Sequence, residues 1–176
     1  MSQVIAQPLS GLSWSHTEEA GIVPSLYLMP GALYIGNEVD QIKTLLGSCV
    51  AVTLWHPVDR VVAMTHIVLP SSTLNSGPRY ATEAIATLSR VLNQRLYKPS
   101  DFEVGLYGGG MMFSVNDNGQ MDVGERNVTK TRELLKQAGF HIKQSDVLGP
   151  TYRHVCLSRE TGAVLLTSTP VASTLG

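Results

Sequence analysis

The sequence predicts an α+β fold, a single-domain α/β sandwich with mixed and antiparallel β-sheets and two main helices packed against them. Three observations point there. The chain has 176 residues, 43% of them hydrophobic and 15% charged, enough for one domain that buries about 70% of its unfolded surface. Two segments repeat apolar residues at helical spacing, and six others read as strands. The helices do not alternate strictly with the strands, which argues against a doubly wound parallel sheet.

The elements follow in chain order. Residues 1–30 mix Ser, Gly, Pro and isolated apolar residues without a sustained period, which predicts a poorly ordered arm or a segment draped over the core. Apolar and β-branched residues then dominate from Gln41 to Leu69, with alternation in 50–55 and 61–68 on either side of His56-Pro57-Val58-Asp59. That pattern is two strands and a turn. Ala81, Ala84, Ile85, Leu88, Val91 and Leu92 mark a helix over about 79–97, with Pro78 at its start. A strand over 102–107 runs into Gly108-Gly109-Gly110, and Asn116-Asp-Asn-Gly119 supplies turn residues. A second helix spans about 125–138, with Glu125 near its positive end, Lys136 near its negative end and Gly139 as its stop. Strands at 140–147, 153–158 and 163–168 complete the domain, which runs from 31 to 170 and leaves 171–176 as a tail.

Charge narrows the partners. Thirteen Lys and Arg balance fourteen Asp and Glu, whereas a nucleic-acid binder needs a basic excess to neutralise phosphates. The first 42 residues hold four acidic side chains and no basic one, and the remainder thirteen basic against ten acidic. The N-terminus lacks the basic stretch of a secretory signal, and no apolar run approaches a membrane span of roughly 18 residues. These features predict a cytoplasmic protein without membrane insertion, in which two cysteines are thiols and not a disulfide.

Cys49 follows Gly47-Ser48 at the start of an apolar strand. A buried, inert thiol is the competing reading, because free cysteine is among the most buried residue types. The small preceding residues leave room for a carbonyl, however, and the backbone N–H groups of Gly47 and Ser48 could donate to an oxyanion. The segment after Cys49 is strand-like, so no helix dipole lowers its pKa and another group must activate it. His66 is that candidate: a hairpin folded near 57–58 brings it roughly opposite Cys49. A core histidine with satisfied nitrogens is the alternative. His16, His56 and His141 read as solvated surface. His154 and Cys156 could join Cys49 and His66 in a zinc set, but no CxxC or HxxxH spacing is present. Gly108-Gly109-Gly110 lacks the Lys-Ser/Thr of a phosphate loop and the GxGxxG pattern, so a flexible site wall or a tight turn explains it better.

Taken together, Leu46-Gly-Ser-Cys-Val-Ala-Val52, Met64-Thr-His-Ile-Val-Leu-Pro70, Arg79-Tyr-Ala81, Gly108-Gly-Gly-Met-Met-Phe113 and Gly124-Glu-Arg-Asn127 resemble the CheD family of chemoreceptor glutamine deamidases, over about residues 36–166. The resemblance implies a protein-glutamine glutaminase that converts glutamines of methyl-accepting chemotaxis receptors to glutamate and releases ammonia. It further implies a papain-like Cys-His arrangement without metal or organic cofactor, a shallow surface around the thiol, and a CheC-type phosphatase as partner in some relatives. The nucleophile falls on Cys49 and the general base on His66. The family threonine that orients the histidine lies six residues before the cysteine, where this chain has Lys43; Thr44 lies five before. Neighbours on a regular strand face opposite sides, so Thr44 takes the role if a bulge or turn shifts the register. Two other readings stay open: a non-catalytic module of the same fold that binds a receptor or a CheC-type partner, and an unrelated cysteine amidase.

Overall fold

A computed structural model of the chain describes residues 3–5, 24–72, 76–112 and 122–172. Among the described residues, ten strands form two sheets. The six-stranded sheet has the order β1 (Gln3–Ile5), β3 (Leu33–Gly36), β6 (Val62–Thr65), β5 (Val50–Trp55), β7 (Glu103–Gly108), β8 (Ile142–Val147), and the four-stranded sheet the order β10 (Val164–Pro170), β9 (Thr151–Ser158), β4 (Gln41–Leu46), β2 (Ser25–Tyr27). Most neighbours are antiparallel, and β2 with β4 and β7 with β8 are parallel.

Alternation along the strands divides the apolar residues between two cores. One face of the six-stranded sheet (Leu33, Ile35, Val50, Val52, Leu54, Ala63, Ile67, Leu106) packs under α1 (Ala81–Gln94) and α2 (Val123–Gln137). The other face (Tyr34, Ala51, Val62, Met64, Tyr107) meets Leu26, Ile42, Leu46, Val155 and Leu157 of the four-stranded sheet. The result is the predicted sandwich in three layers: helices, large sheet, small sheet. Leu96, in left-handed geometry with φ 63°, follows the end of α1, and Asp122 caps α2 by accepting from the Gly124 N–H.

Two expectations are corrected, and the third, a bulge or a turn before Cys49, is narrowed. Residues 1–30 are not wholly a poorly ordered arm: Gln3–Ile5 pairs with β3, and Ser25–Tyr27 pairs with β4 while Leu26 and Leu28 enter the core. Strands of three residues are too short to show a period in sequence. The hairpin is also longer than expected. His56 N–H bonds to Val61 O, and Arg60 takes a left-handed φ of 54°, so Thr53 pairs with Met64 and Val50 with Ile67. This register sets His66 opposite Ala51, and Cys49 opposite Val68. Finally, β4 carries no bulge against β9. The expected Asn116–Gly119 turn lies outside the described residues.

Candidate active site

The site lies where the chain crosses twice between the sheets at one end of the sandwich. Residues 28–32 lead from β2 to β3, and residues 46–50 lead from β4 to β5. β2 and β4 are parallel neighbours, so both crossings leave the small sheet at the same end. Cys49 sits in the second crossing, half-buried, with its side chain against the inter-sheet core. His66 follows β6, buried to 2% exposure, with its backbone held on the first crossing by Gly31 N–H to His66 O (2.8 Å) and His66 N–H to Ala32 O (2.9 Å). Cys49 and His66 flank the Val50–Ile67 pair on one sheet face as diagonal cross-strand neighbours, a separation of about 7–8 Å between backbones that side chains can bridge.

Thr44 faces them from the small sheet. The alternation of β4 points Ile42, Thr44 and Leu46 inward and Lys43 outward, opposite Cys156. The Gly47-Ser48 turn between sheets supplies the shift that a regular strand could not, so counting back from Cys49 does not give the face on which residue 44 lies. Thr44 Oγ1 lies 2.7 Å from His66 Nδ1 and donates its one proton to Leu28 O, also at 2.7 Å. With that proton committed, the Nδ1 contact is satisfied by an Nδ1–H donating to Oγ1, with Leu28 O 3.4 Å away as a weaker acceptor. The imidazole is thereby fixed as the tautomer whose Nε2 is a free lone pair.

Burial disfavours charge on both groups. Burial lowers the His66 pKa to about 4, against a smaller upward pull from Leu28 O. Burial also pushes the Cys49 thiol up, and the Arg79 cation opposes it. Arg79 is exposed and makes no ion pair among the described residues. Its carbonyl accepts from Val68 and Leu69 N–H, placing it beside the strand end opposite Cys49.

The glycine triplet is a tight turn, not a loose wall. Gly108 and Gly109 have φ of 105° and 66°, and a Cβ on Gly108 would strike Cys49 O. Gly109 N–H donates to Cys49 O (2.7 Å), and Gly110 N–H to Gly47 O (2.8 Å). Gly47 leaves no space either: a Cβ there would lie 2.8 Å from Met112 Sδ. The carbonyls of Gly47 and Cys49 are thus spoken for, while the N–H groups of Ser48 and Cys49 donate to no described residue.

His154 and Cys156 point outward on the small sheet, away from Cys49 and His66, and no group of three metal-ligating side chains converges among the described residues. One residue quoted in the motifs was given no task by sequence reasoning. Asn127, on α2, is fully buried and donates to Ser48 O (3.0 Å) and Val68 O (2.9 Å). Both partners are remote in sequence, so only its place in Gly124-Glu-Arg-Asn127 marked it.

Fold and site define an α+β sandwich that sets a thiol and an oriented imidazole on neighbouring strand ends where its sheets meet. A family model described as CheD chemotactic sensory transduction matches residues 68–168. Similar curated proteins include a "Probable chemoreceptor glutamine deamidase CheD 2" of Albidiferax ferrireducens, 36% identical over 79% of this chain and 84% of that one. A "Probable chemoreceptor glutamine deamidase CheD" of Pseudomonas syringae pv. tomato is 31% identical over 85% and 92%, and one of Methanococcus maripaludis is 34% identical over 77% and 90%. The chain belongs to the CheD family. No helix among its described residues is long and apolar enough to cross a membrane.

Proposed function

We propose that this protein hydrolyses glutamine side chains of methyl-accepting chemotaxis receptors to glutamate, with Cys49 as nucleophile, His66 as general base and acid, and Thr44 as the residue that orients His66. The names of its relatives support the substrate. The observation that carries the chemistry is the Leu28–Thr44–His66 chain of hydrogen bonds, which leaves Nε2 as an acceptor on the face shared with Cys49.

Nε2 takes the thiol proton as sulfur attacks the carboxamide carbon. The imidazolium then protonates the leaving nitrogen, the C–N bond breaks, and ammonia departs from a thioester. Water, deprotonated by the same Nε2, attacks the thioester; glutamate leaves and the thiol is restored. Burial disfavours the charged form of both partners, which supports His66 as a base that takes the thiol proton during attack. The reading assigns the protein to the cytoplasm and gives it a CheC-type phosphatase as a further partner, both supported by the family resemblance.

The test is incubation of a receptor cytoplasmic fragment with the protein, read by ammonia release and by peptide mass. Conversion of glutamine to glutamate by wild type and none by Cys49→Ala is expected. A wild-type protein that binds the fragment and converts nothing would contradict the reading and favour the non-catalytic binding module.

A further inference from the structure

Asn127 is placed by close packing at the start of α2. A Cβ on Gly124 would lie 2.5 Å from Gly109 O, and one on Gly109 would strike Val128. Only glycines at both positions let the helix start touch the 108–110 turn, and Asn127 then reaches the two strand ends of the site. Its two Nδ2 protons go to Ser48 O and Val68 O. Two facing carbonyls fix which end of the amide points at them, because an oxygen there would be repelled. Oδ1 is left buried without a partner among the described residues. A buried, unsatisfied acceptor works against stability, so the side chain is not explained by packing alone.

The consequence falls on the Ser48–Cys49 peptide. The chain has no cis peptide among the described residues, and in a trans peptide the N–H points opposite to the C=O. With Ser48 O drawn toward Asn127 on α2, the Cys49 N–H of the same peptide points the opposite way, away from the helix. That N–H has no acceptor among the described residues. The sequence offers the N–H groups of Gly47 and Ser48 as oxyanion donors; the Cys49 N–H joins them as a further candidate.

We propose that Asn127 is a positioning residue that sets the Ser48–Cys49 peptide so that the Cys49 N–H donates to the oxyanion of the tetrahedral intermediate. This rests on the deamidation reading. When the sulfur–carbon bond forms, the carbonyl π pair moves to oxygen and is met by that N–H; when the carbon–nitrogen bond breaks, the pair returns and the thioester carbonyl forms. The grip on Val68 O serves the same end, since Val68 lies opposite Cys49 and two residues beyond His66. One amide therefore ties the strand end of the nucleophile to that of the base.

Oxyanion stabilisation and thiol activation separate experimentally. Alkylation of Cys49 by iodoacetamide needs the thiolate but no oxyanion donor, whereas deamidation needs both. Asn127→Ala is expected to lower kcat for receptor deamidation about 100-fold with KM little changed and alkylation at the wild-type rate across pH. Deamidation at the wild-type rate, or an equal loss in alkylation and deamidation, would overturn the proposal. If Asn127→Ala does not fold, the wild type decides. A peptide bearing an aldehyde in place of the glutamine carboxamide adds the Cys49 thiol across its C=O, giving a hemithioacetal whose oxygen occupies the oxyanion position. In 15N-labelled protein, the Cys49 amide proton is expected to shift downfield and exchange more slowly on adduct formation. A shift confined to other backbone amides would overturn the assignment while leaving the deamidase reading intact, and a wild type that forms no adduct and releases no ammonia would remove both.

Discussion

Cys49 and Cys156 are a controlled comparison within one molecule. Both are half-buried, both have thiols pushed up by burial, and each faces one cation that pulls the other way, Arg79 for Cys49 and Lys43 for Cys156. Burial and a nearby charge therefore do not distinguish them. What differs is the surroundings. Cys156 stands mid-strand on the outer face of the small sheet, in a ladder between β4 and β10. Cys49 stands at a sheet crossing, beside an imidazole held by Thr44 and next to backbone N–H groups with no acceptor among the described residues. In the proposed mechanism a base of fixed tautomer and free N–H donors, not the thiol's own pKa, single out Cys49 as the nucleophile.

The largest effect expected is on that contrast itself. Cys49→Ala should abolish ammonia release without unfolding the protein, while Cys156→Ala should leave turnover largely intact. Ammonia assays on both variants, with thermal melts as controls, check this. Equal loss in two folded variants would erase the distinction.

Next comes the base. His66→Gln should lower turnover by roughly 10²- to 10⁴-fold and slow iodoacetamide alkylation near neutral pH. The same residue leaves a mark on stability. Its folded pKa of about 4 lies below the ordinary value of 6.5, so as pH falls from 6.5 to 4 the unfolded chain takes up a proton that the native state refuses. Stability should therefore drop across that window by on the order of 3 kcal/mol, and His66→Gln should remove this dependence. Denaturant titrations at several pH values measure it.

Thr44 sharpens the comparison further. Thr44→Val should cost about 10- to 100-fold in turnover by freeing the Nδ1 proton from its acceptor, while Thr44→Ser should retain most activity. Lys43→Ala should matter little at the site, because Lys43 faces outward against Cys156. The opposite ranking would mean that the outward residue orients the histidine. The smallest effect belongs to Arg79→Gln. Without its cation the Cys49 thiol rises further, so the pH profile of alkylation should move to higher pH with a several-fold loss near neutrality; an unmoved profile would show that Arg79 does not act on the thiol.

How far the sequence reached can be seen in these same residues. Cys49 and His66 were paired because a hairpin around residue 57 follows from alternation and turn residues, which are local signals. The register was two residues out, since the left-handed Arg60 that lengthens the loop has no turn signature. Thr44 was ambiguous because strand parity does not survive a crossing between sheets. Asn127 could be quoted but not interpreted: its carbonyl partners are 79 and 59 residues away, and the glycine contacts that seat it are tertiary. Local order was readable, and what depends on the meeting of distant segments was not.

In the proposed reaction a receptor glutamine passes through a thioester on Cys49. A receptor fragment mixed with enzyme, quenched in acid during turnover, digested and read by mass spectrometry tests it directly. A branched peptide in which the former glutamine side chain is joined to the Cys49 sulfur is expected, absent from Cys49→Ala. A branch on Cys156, or glutamate formed at the wild-type rate by Cys49→Ala, would contradict it.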